Sequence, residues 1–222
     1  ALQIGYINVI EDTTLPIITL LGDATVTIEV GSTYTDGGAT ALDNYDGDLT
    51  SSIVVTGTVD TDTLGTYVLS YNVTDANANA AVEVTRTVNV VDTTVPVITL
   101  TGESTVTIEV GSTYTDGGAT ALDNYDGDLT SSIATVSTVD TAVVGVYTVT
   151  YNVTDANANA AVEVTRTVNV VDTTVPVITL LGEGPVTIEV GSTYTDAGST
   201  ASDNYDGNLT ASIVTVNPVD ET

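Results

Sequence analysis

A chain of 222 residues with 2 basic and 30 acidic residues carries a formal net charge of -28 at pH 7. Nucleic acid and anionic membrane surfaces repel such a chain, which excludes both as partners. It is 42% hydrophobic yet has no Phe, Trp, Met or Cys, so disulfides are excluded and Val, Ile, Leu, Ala and Tyr must fill any core, a set that favours strands over helices.

In chain order, Gly5-Tyr6-Ile7-Asn8-Val9-Ile10 resembles Arg86 to Val91 further on. Residues 1–11 therefore read as the last strand of a preceding module, or as a strand donated to a neighbouring subunit. Asp12-Thr13-Thr14 then opens a repeat that returns at Asp92 and again at Asp172, a period of 80 residues. The copies are close to verbatim, with Thr25 to Ile53 unchanged at Thr105 to Ile133 and Tyr71 to Leu100 unchanged at Tyr151 to Leu180. The predicted organisation is repeat 1 at 12–91, repeat 2 at 92–171 and an incomplete repeat 3 at 172–222, without counterparts of Gly65 to Val91. A window on a longer array and a self-assembling subunit both fit these ends. No run is apolar enough to span a bilayer, and the signal and anchor of an exported parent protein are expected to lie outside this segment.

Within a repeat, apolar residues alternate with polar ones at Val26, Ile28 and Val30, then at Tyr67, Leu69, Tyr71 and Val73, which predicts strands with one buried face. Ile53, Val55 and Val59 suggest another strand, and Val82, Val84, Val88 and Val90 a long last one. Gly, Asn and Asp clusters supply the turns between them. Short strands punctuated in this way predict an all-β fold of tandem immunoglobulin-like sandwiches, with Tyr67 and Tyr147 placed as tyrosine corners. Arg86 and Arg166 fall on the apolar side of the last strand and are expected to pair with a carboxylate or reach an edge.

The ordered motifs Asp-Thr-Thr-x-Pro-x-Ile from Asp12, Ile28-Glu29-Val30-Gly31-Ser32, Tyr34-Thr35-Asp36, Asp46-Gly47-Asp48-Leu49-Thr50 and Val73-Thr74-Asp75 resemble the immunoglobulin-like repeats of large bacterial surface proteins. Hyalin repeats and cadherin modules are more loosely similar. The resemblance implies an extracellular role in adhesin stalks, filaments or other cell-surface assemblies, often with calcium and without catalysis. One departure is Asn77-Ala78-Asn79, where relatives carry a Gly-Asn pair.

Acidic residues grouped in loops are how proteins collect hard divalent ions through oxygen, so calcium is the expected cofactor. Asp36, Asp43, Asp46 and Asp48 crowd one connection, repeated as Asp116, Asp123, Asp126 and Asp128 and as Asp196, Asp203, Asp206 and Asn208. The spacing is not that of an EF-hand, because Leu42 stands five residues before Gly47. A second group follows from sandwich topology, which brings the last hairpin loop beside the entering chain. It sets Asp75 and Asn77 near Asp12, and Asp155 and Asn157 near Asp92, with Asp172 opening the third repeat. The competing reading is that Asp and Asn simply stabilise turns by bonding their own backbone.

Near-identical copies suit a spacer better than an active site, which needs one distinctive constellation. The expected partners are neighbouring repeats or identical subunits. A module binding surface glycans or host proteins through Tyr45 and Tyr125 is the alternative. Without His, Cys or Lys, catalysis would be left to carboxylate pairs, and no catalytic residue is nominated. Asn72-Val73-Thr74, Asn152-Val153-Thr154 and Asn208-Leu209-Thr210 match the glycosylation acceptor pattern, which arises readily by chance in a chain rich in Thr.

Overall fold

The structure, a computed structural model, describes residues 11–219. The leading-strand reading of residues 1–10 lies outside them. Regular structure among the described residues is β throughout, apart from single 3-10 turns at Thr50–Ser52, Thr130–Ser132 and Thr210–Ser212.

The first repeat forms β1 (Ile17–Leu20), β2 (Thr25–Glu29), β3 (Ala39–Asp43), β4 (Gly47–Asp48), β5 (Val54–Thr56), β6 (Gly65–Asn72) and β7 (Val84–Val91). They make two sheets, ordered β1-β3-β4 and β2-β7-β6-β5. The period-2 pattern of β6 and β7 sends Leu69, Tyr71, Val88 and Val90 inward, and Ile18, Ala39 and Ala41 of the other sheet face them. Burying each large apolar side chain contributes roughly 1.5–3 kcal/mol, and this apolar face is what fixes the register. Leu69 lies opposite Arg86 and Tyr67 opposite Val88. The Tyr67 hydroxyl donates to the Thr63 carbonyl at 2.9 Å, the return bond of a tyrosine corner, and Tyr147 bonds Val143 in the same way.

Two strands differ from the sequence reading. The last strand begins at Val84, because Ala81 is still bonded to Val73 across the preceding loop, and Val82 is exposed. The strand around Val55 spans Val54–Thr56 with its side chains exposed, while Ile53 and Val59 pack on the core from either side of it.

The second repeat forms β8 (Val97–Leu100), β9 (Thr105–Glu109), β10 (Ala119–Asp123), β11 (Gly127–Asp128), β12 (Ala134–Ser137), β13 (Gly145–Asn152) and β14 (Val164–Val171), in sheets ordered β11-β10-β8 and β12-β13-β14-β9. Its core repeats the first, with Ile98, Ala121, Val149, Tyr151, Val153 and Val168 buried together. The third contributes β15 (Val177–Leu180), β16 (Ser199–Asp203) and β17 (Gly207–Asn208) as one sheet.

The chain gathers into two compact units whose limits differ from the 80-residue period. The first holds the residues up to Pro96 together with Asp123–Gly127 and Thr154–Asn159, and the second holds Val97–Leu122, Asp128–Val153 and the residues from Ala160 onward. The two acidic loops that join the first unit meet Asp92 there.

Candidate metal centre

The acidic connection between β2 and the first 3-10 turn divides three ways. Asp36 is taken by Arg86, which is buried to 2% exposure on β7. The Arg86 Nη1 donates to Asp36 Oδ1, Nη2 to the carbonyls of Leu21 and Gly38, and Nε to the Asp23 carbonyl at 3.0 Å. The guanidinium lies 5.8 Å from the Tyr71 ring centroid, and the Tyr71 hydroxyl donates to Asp36 at 2.6 Å. Gly37 is required beside it, since a Cβ there would stand 2.6 Å from the Leu21 carbonyl and 3.4 Å from the guanidinium. Burial alone would raise the Asp36 carboxyl, but hydrogen bonds from Tyr71 and the Gly38 N–H, with the Arg86 charge, outweigh it and hold it below its ordinary value. Arg166, Asp116 and Tyr151 repeat the arrangement. Both arginines are therefore structural. In the third repeat, Asp196 Oδ1 accepts from the Gly198 N–H at 3.2 Å and the Tyr194 hydroxyl at 3.5 Å.

Asp48 points elsewhere. It is exposed and accepts the Thr50 N–H at 2.9 Å, opening the 3-10 turn, as Asp128 does for Thr130 and Asn208 for Thr210. The turn-former reading accounts for these three.

The remaining carboxylates converge. Asp12, Asp43, Asp46 and Asp75 each bring an oxygen within 4.8 Å of the others, uniting the loop residues Asp43 and Asp46 with the pair that sandwich topology placed together. Backbone amides fix their orientation. Asp43 Oδ1 accepts from Tyr45 N–H at 2.7 Å and Asp46 N–H at 3.0 Å. Asp46 Oδ2 accepts from Ala76 N–H at 3.0 Å, and Asp75 Oδ1 from Asn77 N–H at 2.9 Å and Asn79 N–H at 2.8 Å. Asp43 Oδ2 and Asp12 Oδ2 are buried and have no hydrogen-bond partner.

The same centre recurs at Asp92, Asp123, Asp126 and Asp155, where Asp92 Oδ2 and Asp123 Oδ2 are unpartnered, and at Asp172, Asp203 and Asp206, where Asp172 Oδ1 and Asp203 Oδ2 are. Burial and repulsion from Asp123, Asp155 and Glu29 push the Asp92 carboxyl above its ordinary value, and burial with Asp203 and Glu109 does the same to Asp172. Asn77 and Asn157 meet the centres through the backbone, while the side chains of Asn79 and Asn159 reach across to the carbonyls of Asp12 and Asp92, at 3.1 and 3.2 Å. Sequence reasoning missed these two asparagines, although each stands four residues after the Asp whose carboxylate it also contacts. Ala78, between Asn77 and Asn79, and Ala158, between Asn157 and Asn159, adopt left-handed backbone with φ of 69° and 70°. Glycine adopts that conformation freely, whereas an L side chain is strained in it.

Sequence reasoning also missed a latch on the segment after β7. Glu29 accepts from both N–H groups and both hydroxyls of Thr93 and Thr94, with the hydroxyls at 2.7 Å. The two threonine hydroxyls, reinforced by their amides, lower the Glu29 carboxyl to about 2. Glu109 latches Thr173 and Thr174 identically. Tyr45 is 75% exposed at the turn after β3 and Tyr125 less so.

Two facing sheets, a tyrosine corner and a buried Arg–Asp pair repeated in register define tandem immunoglobulin-like sandwich modules. The family described as "Bacterial surface protein, Ig-like domain" matches residues 18–90, 98–170 and 178–222, and the chain belongs to it. Membership places the protein at a bacterial surface. No curated protein matches the chain.

Among solved structures, CBM51-2 in complex with GlcNAc and INT domains from Clostridium perfringens ZmpB matches at 25% identity over 38% of this chain and 17% of that one, with a TM-score of 0.29. A lipoprotein from Bacteroides thetaiotaomicron matches at 19% identity over 65% of this chain and 96% of that one, TM-score 0.33. The catalytic domain of ZmpB with its CBM51-1 and CBM51-2 domains matches at 14% identity over 83% of this chain and 33% of that one, TM-score 0.41. The chain thus spans a minor part of either ZmpB structure. With TM-scores below 0.5 these are distant shapes, and the family assignment stands on the sequence match.

Proposed function

We propose that the chain is a non-catalytic, load-bearing spacer of a bacterial surface protein, such as an adhesin stalk or surface filament, whose immediate partners are neighbouring repeats. One observation carries this reading. β2 runs parallel to β7, from Thr25 opposite Thr87 to Glu29 opposite Val91, and β9 runs parallel to β14 in the same register. Tension enters a repeat before β2 and leaves after the end of β7. It therefore pulls the paired strands in opposite directions along their length, and the ladder bonds share the load and break together. An antiparallel hairpin pulled at its open end would lose them one at a time. The Glu29 latch and the buried Arg86 pair bracket the same two strands.

Stretching single molecules tests the proposal. Unfolding one repeat should release roughly 80 residues at about 3.4 Å each, so a regular series of force peaks spaced by somewhat under 300 Å is expected. Featureless extension at low force would contradict it.

A further inference from the structure

We propose that each acidic cluster is a binding site for a hard divalent cation, with calcium as the ion it fits. Asp12, Asp43, Asp46 and Asp75 build the first, Asp92, Asp123, Asp126 and Asp155 the second, and Asp172, Asp203 and Asp206 the same centre in the third repeat. The inference goes beyond the spacer reading and does not depend on it.

Several buried carboxylate oxygens of these clusters have no hydrogen-bond partner. Asp43, Asp92 and Asp123 are each only 6% exposed, and each has a buried Oδ2 without a donor. A buried, unpaired carboxylate oxygen carries a large desolvation penalty, so folds supply a donor or a counter-charge. This fold supplies one where it needs to, because Asp36 and Asp116 each receive a buried arginine. Those arginines are the only basic residues of the sequence. Nothing in the chain remains to neutralise three clusters of carboxylates whose oxygens stand within 4.8 Å of one another, so the balancing charge has to come from outside.

The bonds that are made support the same conclusion. The amides of Tyr45 and Asp46 occupy Oδ1 of Asp43, and those of Tyr125 and Asp126 occupy Oδ1 of Asp123 at 2.8 and 2.9 Å. With one oxygen held by the turn, the other is committed to the cluster. The same division recurs at Asp203, whose Oδ1 accepts from Tyr205 and Asp206 while Oδ2 is left over. A turn-forming role explains the first oxygen of each pair and leaves the second unexplained.

The donor set selects the ion. Every ligand offered is a carboxylate oxygen, which disfavours zinc and other metals that draw on His or Cys. The carboxylates come from three separate segments, and calcium accepts six to eight oxygens in irregular geometry where magnesium demands a near-ideal octahedron. An ion at the second site would tie Asp92, just after β7, to the loops carrying Asp126 and Asp155. It would therefore bind the folded arrangement alone and stabilise it by linkage.

Calorimetric titration of the chelator-treated full chain with calcium chloride, paired with thermal melts, tests the proposal. Binding is expected, with magnesium weaker, and the melting temperature should keep rising with the logarithm of calcium concentration. Asp123→Asn retains the oxygen that the turn uses and should remove one site while the others still titrate. Asp126→Asn, at a less buried ligand, should weaken that site without abolishing it, and circular dichroism establishes that both variants fold. Absence of binding heat, with equal melting temperatures in calcium and chelator, would overturn the inference. So would unaltered titration of both folded variants. Regular force peaks in chelator alongside either result would leave the spacer reading standing.

Discussion

Asp36 and Asp43 lie in the same acidic connection and are both drawn toward the interior, yet the fold treats them in opposite ways. Asp36 meets Arg86, Tyr71 and the Gly38 amide, so its charge is matched within the chain. Asp43 meets Asp12, Asp46 and Asp75, so its charge is compounded. The first site is complete as folded, whereas the second keeps a buried oxygen without a hydrogen-bond partner, the feature on which the proposed ion site rests. A carboxylate's role here is set by what a distant strand delivers to it, because both residues sit in similar Gly- and Asp-rich text.

The matched site should be the more costly to break. Arg86→Met removes the counter-charge and leaves Asp36 with an unpaired carboxylate beside the core. Destabilisation of about 3 kcal/mol or more is expected by chemical denaturation, and calcium should not restore it. A loss below about 1 kcal/mol would mean that the pair contributes little beyond its packing.

The Glu29 latch gives a subtler contrast, because its carboxylate is satisfied by hydroxyls and amides rather than by charge. Its folded value of about 2 lies below the ordinary 4.5. The latch therefore contributes stability that is fully present above pH 4.5 and is lost as pH falls through about 2. Carboxyl titration followed by NMR should place its midpoint well below that of exposed glutamates, and Glu29→Gln should remove the acid-side contribution. A midpoint near 4.5 would show that the latch is open in solution.

The smallest effect lies in the turn beside the first cluster. Ala78 is held at φ 69°, which costs an alanine about 1 kcal/mol that glycine avoids. Greater flexibility of the unfolded chain offsets part of this. Ala78→Gly should thus be neutral to slightly stabilising in a denaturant melt and should leave calcium binding intact. Clear destabilisation would mean that the Ala78 methyl makes a contact worth more than the strain.

The fold was largely legible in the sequence because its signals are local and repeated. Alternation at Leu69, Tyr71 and Val73 names a buried face, and three returns of Asp-Thr-Thr set the period. The sites were only half legible. That Asp12 and Asp75 meet follows from sandwich topology, and the meeting is seen. The division of Asp36, Asp43, Asp46 and Asp48 among three roles was not legible, because it depends on Arg86 arriving on β7 and on the 3-10 turn after Asp48. Neither the long reach of Asn79 to Asp12 nor that of Glu29 to Thr93 leaves a mark in local spacing, since each joins residues more than sixty positions apart.

The contrast between matched and unmatched carboxylates comes down to one comparison of melts. Asp43→Asn keeps the oxygen that accepts from Tyr45 and Asp46 and replaces the unpartnered one with an uncharged amide. If the cluster is an unbalanced charge awaiting an ion, a chain carrying Asp43→Asn and Asp123→Asn will melt higher than the parent in chelator and lower than it in millimolar calcium. If the double variant melts below the parent by the same margin in both conditions, the carboxylates are serving only as turn formers and the account is contradicted.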